Sequence, residues 1–383
     1  YGYTLGDQVL KDFCSFIIGK TEEKHNLYFT RVVSDQFLMF RTASHEKDEY
    51  QGIIEETEKI NEEFMLRQKE KFPKSNVVLR TGIYYVTPEC RSTSYAIDAA
   101  NYVRQKVKGG EKGSVRFYDD EMQKQRELEN EIVNDMKEAM EQKQFKVYFQ
   151  PVVDAMTGKI ASAESLIRWF YPEKGFISPG VFIPALEESG HISELDLYVL
   201  DSVNEFQKKR YQSDKITVPV STNLSWMDFY DETIMNWLEK KCADASMPSG
   251  LCRMEITETS YAAIEADRNA TLEALREAGI LLLLDDFGSG YSSFGMLQNY
   301  NFDIMKIDMS FVRQIETNTK TRSIIRFIIE MAHTMDIKII AEGAETKEQV
   351  EFLRDNGCDY IQGYYFYKPM PEEEFVKLLD AGR

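Results

Sequence analysis

At 383 residues the chain exceeds what one hydrophobic core usually serves, so two domains are expected. With 43% hydrophobic and 29% charged residues it is the composition of a soluble globular protein, and no run of apolar residues is long enough for a membrane span. A formal net charge of −18 without a long basic stretch excludes duplex nucleic acid as a natural partner, yet leaves room for a small anionic substrate, because bound divalent cations reverse the potential inside one acidic cleft.

The first residues, Tyr1-Gly2-Tyr3-Thr4, are neither a signal peptide nor an initiator methionine, and the chain is expected to be a piece of a longer one. From Gly6 to about Tyr118 helix and strand patterns mix. Leu10 to Ile18 is helix-like, Leu27 to Phe40 holds a strand pair around Ser34-Asp35, and Asp48 to Lys71 is a long charged helix. Strand-like Val77 to Val86 and a helix near Ala96 to Lys106 complete a small α+β domain over residues 1–120. Leu128, Ile132, Met136 and Met140 then recur every four residues, one stripe of a helix that serves as connector over 121–140. Simple packing of that stripe on a neighbour competes with a signalling role.

Over 141–383 eight strand candidates alternate with helices: Lys146 to Gln150, Ser162 to Trp169, Thr217 to Leu224, Arg253 to Thr257, Ile280 to Asp285, Ile304 to Ile307, Lys338 to Ala341 and Tyr360 to Tyr365. That count and length fit an α/β fold of the (β/α)8 TIM-like barrel type. The run Ile280-Leu281-Leu282-Leu283-Leu284 does not alternate, as befits a strand covered on both faces.

Chemistry in such a barrel sits at the carboxyl ends of the strands. The polar residues there are Glu164, Asn223, Glu255, Asp285 with Asp286, Lys306 with Asp308, Glu342 and Gln362. Any one acid, Asp308 for instance, serves as well as a helix cap. Several acids converging on one mouth raise one another's pKa, and divalent metal is the remedy. The four histidines (His25, His45, His191, His333) share no ligand spacing, so oxygen ligands and Mg2+ or Mn2+ are expected rather than zinc. Two metals about 3.5 to 4 Å apart would hold a phosphodiester and activate a water. Phe287-Gly288-Ser289-Gly290 breaks the strand so that Asp285 and Asp286 can turn toward one site. Lys306 balances charge or positions that water, with a plain structural salt bridge as the alternative. Five scattered cysteines (Cys14, Cys90, Cys242, Cys252, Cys358) suit a reducing, cytoplasmic setting.

Ala163-Glu164-Ser165-Leu166-Ile167-Arg168-Trp169, Thr222-Asn223-Leu224-Ser225, Met254-Glu255-Ile256-Thr257-Glu258-Thr259, Asp285-Asp286-Phe287-Gly288-Ser289-Gly290-Tyr291-Ser292-Ser293, Met305-Lys306-Ile307-Asp308, Ala341-Glu342-Gly343-Ala344-Glu345-Thr346 and Gln362-Gly363-Tyr364 resemble, in order, the motifs of EAL-domain phosphodiesterases. The resemblance implies hydrolysis of cyclic di-GMP to linear pGpG in second-messenger signalling. It implies Glu164, Asn223, Glu255 and Asp285 as ligands of a first metal and Asp285 with Asp286 for a second. Lys306 and Glu342 would contact the attacking water or the shell of the second metal, Arg168 a substrate phosphate, and Gln362 and Gln150 the substrate. Glu258 would order the segment Phe287 to Ser293, which in the family links metal binding to contacts of a homodimer. Ser165 stands where the name motif has Ala, and Ala344 where Val is usual. A catalytically silent cyclic di-GMP receptor or protein-interaction module is the alternative, and a barrel acting on another phosphate ester a third reading.

Gly6-Asp7-Gln8-Val9-Leu10, Arg31 to Phe37, Thr81-Gly82-Ile83 and Ile97-Asp98-Ala99-Ala100 resemble a GGDEF domain. Val33-Ser34-Asp35-Gln36-Phe37 occupies the signature position, Lys24 and Leu27 stand where an RxxD motif would have Arg and Asp, and the first strand with its metal-binding Asp precedes residue 1 or is missing. The resemblance therefore implies a degenerate domain without cyclase activity that retains the option of binding GTP or another nucleotide as a regulator.

Overall fold

The structure, a computed structural model, describes residues 2–22, 27–42, 48–74, 76–107, 114–242, 247–248, 250–258, 260, 269–277, 279–288, 297 and 301–382. The chain separates into two compact units, residues 1–128 and 129–383.

The first unit runs α1 (Gly2–Glu22), β1 (Leu27–Val33), β2 (Gln36–Arg41), α2 (Asp48–Lys71), β3 (Thr81–Ile83), α3 (Thr93–Lys106) and β4 (Val115–Phe117), followed by α4 (Asp120–Glu141), within which the division between units falls. β1 and β2 pair antiparallel around Ser34-Asp35, with Ser34 at a left-handed φ of 48°. The strand expected from Val77 to Val86 contracts to three residues because its one partner, β4, is only that long. Phe16 and Ile17 of α1 pack on Phe64 of α2, burying one apolar stripe of each helix.

In the second unit the strands are β5 (Phe145–Asp154), β6 (Ile160–Tyr171), β7 (Gly175–Ile177), β8 (Val220–Asn223), β9 (Cys252–Thr257), β10 (Leu281–Phe287), β11 (Ile304–Ile307), β12 (Lys338–Ala341), β13 (Tyr360–Ile361) and β14 (Met370–Pro371). Around the barrel the order is β5, β6, β8, β9, β10, β11, β12, β13 and back to β5, with β7 and β14 as short extensions. From β6 to β13 the pairings are parallel, but β5 is antiparallel to both neighbours, a departure from the all-parallel barrel. The reason is local. Asp154 and Ile160 are joined by a tight turn in which the Asp154 carboxylate accepts from the Met156 and Thr157 amides, and so short a link cannot make a parallel crossover.

Two other expected strands shorten. β8 begins only at Val220 because Pro219 has no amide hydrogen to donate. β13 ends at Ile361 because the chain turns at once, the Tyr365 amide donating to Ala344 and the Phe366 amide to Gly363.

Alternation sorts the strand residues. Leu282, Leu284, Met254, Ile256, Met305, Ile307 and Ile339 join the core cluster that also holds Ile325, Ile328 and Ile329 of the surrounding helices. Leu283, Ile304, Ile340 and Val152 form a separate cluster inside the barrel. Two residues along from this interior layer stand Asp285, Lys306, Glu342 and, on the antiparallel β5, Gln150. Period-two geometry thus turns all four inward as the next layer up.

The mouth closes tightly where Gly363 meets the segment after β12. A Cβ built on Gly363 would lie 2.1 Å from the Ala344 carbonyl oxygen and 2.4 Å from its nitrogen, both backbone atoms that cannot swing aside. Gly363→Ala should therefore lower stability by at least about 2 kcal/mol, read as a shifted urea midpoint. An unchanged midpoint would mean that the two segments do not touch.

Candidate active site

Lys306 organises the inward polar layer. Its Nζ lies 2.6 Å from Glu255 Oε2, 2.6 Å from Glu342 Oε1, 3.1 Å from Asp285 Oδ1 and 3.3 Å from Glu164 Oε2, with 1% of the side chain exposed. Glu164 in turn accepts from Gln362 Nε2 at 2.6 Å and from Asn223 Nδ2 at 3.3 Å. Three strands, β6, β9 and β10, thus contribute a carboxylate directly to the ammonium carried by β11, and Glu342 follows β12 immediately.

Asp286 reaches the same place by a backbone irregularity. The register between β10 and β11 slips between Leu284 and Phe287, and Asp286 takes a left-handed φ of 55° while its amide donates to Asp285 Oδ1 at 2.9 Å. The break anticipated at Phe287 to Gly290 therefore falls earlier, at Asp286 itself, inside the strand; an Asp tolerates that region better than a branched residue does. Asp285, Asp286 and Glu342 each offer a carboxylate oxygen within 4.8 Å of one another.

Glu164 lies not at the end of β6 but in its middle, directly opposite Gln150 of β5, whose amide donates to the Tyr367 carbonyl at 3.4 Å. Arg168 is four residues farther along the same face, half-buried, its guanidinium 5.8 Å from the Tyr148 ring centroid. Glu258 is buried one residue beyond β9. Thr259 and the segment Ser289 to Ser293, on which its expected role depends, lie outside the described residues, as does Lys24. Asp308 does what a helix cap does, accepting from the Ser310 amide at 3.0 Å.

The profile of the EAL domain matches residues 133–369, well over half of the chain. The chain belongs to the EAL-domain family. The cyclic di-GMP phosphodiesterase PdeR of Escherichia coli K12 is 31% identical over 385 aligned residues, covering 98% of this chain and 56% of that protein. Among solved structures, the EAL enzyme Bd1971 in its cAMP- and cyclic-di-GMP-bound form is 30% identical with a TM-score of 0.61, covering 67% of this chain and 69% of that one. The PaMucR phosphodiesterase in complex with c-di-GMP is 32% identical with a TM-score of 0.58, covering 64% and 99%. The chain spans between 46% and 61% of the length of curated relatives that match it along nearly all its own length.

The donor set of this EAL domain suits divalent cations. Glu164, Glu255, Asp285, Asp286 and Glu342 against the one ammonium of Lys306 leave a formal charge of −4, the charge that two divalent cations cancel. Two buried acceptors, Glu255 Oε1 and Gln362 Oε1, receive no hydrogen bond among the described residues, and all the offered atoms are oxygens. Without cations the carboxyls adapt in another way. Burial pushes Glu255 well above the usual carboxylate range, with the Glu164 carboxylate adding to it. Burial raises Glu342 to about 8 against the pull of Lys306, and burial followed by the Asp285 and Asp308 charges raises Asp286 to about 6. For Lys306 burial disfavours the charge, but the Asp285, Glu164, Glu255 and Glu342 carboxylates together outweigh it and hold its pKa well above that of an ordinary lysine.

Sequence reasoning missed how β8 is held. Ser225 caps the short 3-10 turn Trp226–Tyr230, its amide donating to Asp228 Oδ2 at 2.8 Å, and Asp228 Oδ1 accepts from the Ser193 hydroxyl at 2.6 Å. The Ser-x-x-Asp spacing of a capping box was the available signal. It missed also the tie between Ser165 and Thr222, for which no local pattern exists.

The raised carboxyls set the sign of a pH effect. Between 4.5 and about 8 for Glu342, and between 3.8 and about 6 for Asp286, the metal-free folded protein holds protons that the unfolded chain has released. Their contribution to stability should therefore decline as pH rises through those windows, and saturating Mg2+ should offset the decline by binding the ionised form. Melting temperatures across about pH 5 to 8, with and without Mg2+, measure it, and Glu342→Gln should flatten the upper part. Profiles that superimpose for the two proteins would show that Glu342 is already ionised.

Proposed function

We propose that the protein hydrolyses cyclic di-GMP to linear pGpG with divalent metal, Mg2+ or Mn2+, at the mouth of its EAL barrel. The observation that carries this reading is the convergence of five carboxylates and one lysine on a single buried point at the carboxyl ends of the strands. The names of relatives point the same way, among them a cyclic di-GMP phosphodiesterase and an EAL enzyme bound to cyclic di-GMP.

In this reading Glu164, Asn223, Glu255 and Asp285 hold one cation, and Asp285 with Asp286 a second. Bound cations supply charge neutralisation of the phosphate and acidify a water. The chain's own groups do the rest. Glu342, ionised once the cations are bound, accepts a proton from the attacking water, and the Lys306 ammonium fixes that water beside it. As the water oxygen bonds to phosphorus, the bond to the ribose 3′ oxygen breaks and that oxygen takes a proton from solvent water to leave as a hydroxyl, giving the 5′-phosphorylated linear dinucleotide. Arg168 offers a planar fork of donors to a phosphate, and Gln150 and Gln362 line the site. Glu258 supports the segment after β10 and, through it, a homodimer of EAL domains.

The amino-terminal unit is read as a degenerate GGDEF-like domain that makes no cyclic di-GMP. A left-handed Ser34 and an exposed Val33 stand in its hairpin turn where glycines would let the backbone approach phosphates, and Gln36 replaces an acid. GTP or another nucleotide is its proposed regulator. Among the described residues no helix is long and apolar enough to cross a membrane. Cys14, Cys90, Cys252 and Cys358 are not disulfide-bonded, which supports a cytoplasmic setting.

The test is incubation with cyclic di-GMP and Mg2+ or Mn2+ followed by chromatography. Formation of pGpG abolished by EDTA is expected, with Glu164→Ala and Asp285→Ala each losing more than about a hundredfold in rate while still melting cooperatively. Binding of cyclic di-GMP without turnover in both metals would instead establish a receptor. With GTP supplied to the Glu164→Ala protein, no cyclic di-GMP should accumulate; its appearance would overturn the reading of the amino-terminal unit.

A further inference from the structure

Ser165 differs from the alanine of the family's name motif, and its surroundings give the difference a purpose. It alternates with Glu164 along β6, so its side chain points away from the barrel interior, where it is 3% exposed. The Ser165 hydroxyl donates to the Ser221 carbonyl at 2.8 Å and shares a hydrogen bond with the Thr222 hydroxyl at 3.1 Å. Ser221 and Thr222 are themselves 3% exposed.

The backbone register between β6 and β8 runs through Ala163 with Val220 and Glu164 with Ser221. Asn223 lies beyond that register and is paired on its other side with Glu255 of β9. Beside Glu164, the Asn223 amide is held by one long hydrogen bond of 3.3 Å. The hydroxyl pair is therefore a second side-chain link between β6 and β8, on the outer face at the level where Glu164 and Asn223 face inward. Ser165 also has the Ser221 carbonyl, whereas Thr222 depends on Ser165, because a buried hydroxyl left without a partner is costly. Thr222 beside an alanine would be in that position.

We infer that Ser165 is a positioning residue, acting with Thr222 to set the spacing of Glu164 and Asn223 and so the affinity of the site for its divalent cation. The inference rests on the proposed reading that Glu164 and Asn223 hold a cation. It predicts a coupled pair whose loss weakens cation binding without changing the chemistry of the occupied site.

A double-mutant cycle on the whole chain tests it, with Ser165→Ala, Thr222→Val and the double variant titrated with Mg2+ and Mn2+ by calorimetry. Each single variant should bind the cation about tenfold more weakly. The double variant should be no weaker than Ser165→Ala alone, because Thr222→Val removes the hydroxyl left unpaired. At saturating metal kcat should stay within about twofold of the wild type, since no group of the occupied site is altered. Wild-type binding with unchanged affinity in Ser165→Ala would overturn the inference and leave the proposed function standing. A lowered melting temperature without a change in affinity would overturn it too, as would losses that simply multiply in the double variant. Absence of cation binding in the wild type would instead bring down the proposed function and this inference with it.

Discussion

A fully buried ammonium among four carboxylates is the constraint from which the rest of the barrel mouth follows. Removing Lys306 and its partners from water carries a large desolvation cost, and only close, multiple pairing offsets it. Pairing of that kind demands that β6, β9, β10 and β11 deliver their groups to one point, with Glu342 following β12, within a few tenths of an ångström. The apolar layer beneath, Leu283, Ile304, Ile340 and Val152, supplies the rigidity for this, because close-packed branched side chains leave the strands little freedom to shift.

The same arrangement makes the site unstable as an anion sink and receptive as a cation site. One ammonium cannot neutralise five carboxyls, so in the absence of metal Glu255, Glu342 and Asp286 share the burden through pKa values raised by burial and by their neighbours' charge. A chain with net charge −18 can then meet an anionic substrate, because cations change the local sign while the remote acidic surface stays exposed to screening water. Arg168 stands outside the cluster on the same face of β6, beside Tyr148. Burial lowers its pKa without endangering the charge of a guanidinium. One of its guanidinium nitrogens, Nη1, donates to the Ile167 carbonyl at 2.9 Å.

Two backbone irregularities stand at the barrel mouth, one where two acids come from one strand and one where segments nearly touch. Asp286 accepts a left-handed conformation and a slipped register so that it can stand beside Asp285, a local cost of the kind that functional sites hold. Gly343, at a φ of 69°, leaves room for the Met309 side chain, whose Cβ would lie 2.5 Å from an added methyl. These departures come directly after the inward acids of β10 and β12. The amino-terminal unit places its own left-handed residue, Ser34, at a hairpin tip where its carbonyl accepts from Arg31 at 2.6 Å.

Sequence alone determined which residues alternate and where some of the runs stop. Ile304 to Ile307 and Lys338 to Ala341 were legible to the residue because a buried parallel strand is a short apolar run, and Glu342 and Asp285 were legible because a charged residue at the end of such a run has few other places to go. The same reading of strand ends picked out Glu164, Asn223, Glu255 and Gln362, and the family motifs supplied the roles they imply. Tertiary structure decided the direction of β5, the length of β3 and the slip at Asp286, since each depends on a partner strand or a turn that local pattern does not encode. It also decided that Lys306 would touch four acids drawn from positions up to 142 residues away, and that Ser165 would meet Thr222. The physical reason is common to all of these: periodicity along a chain specifies which face a side chain occupies, whereas the neighbour across a closed barrel is set by register and closure, which are properties of the whole sheet.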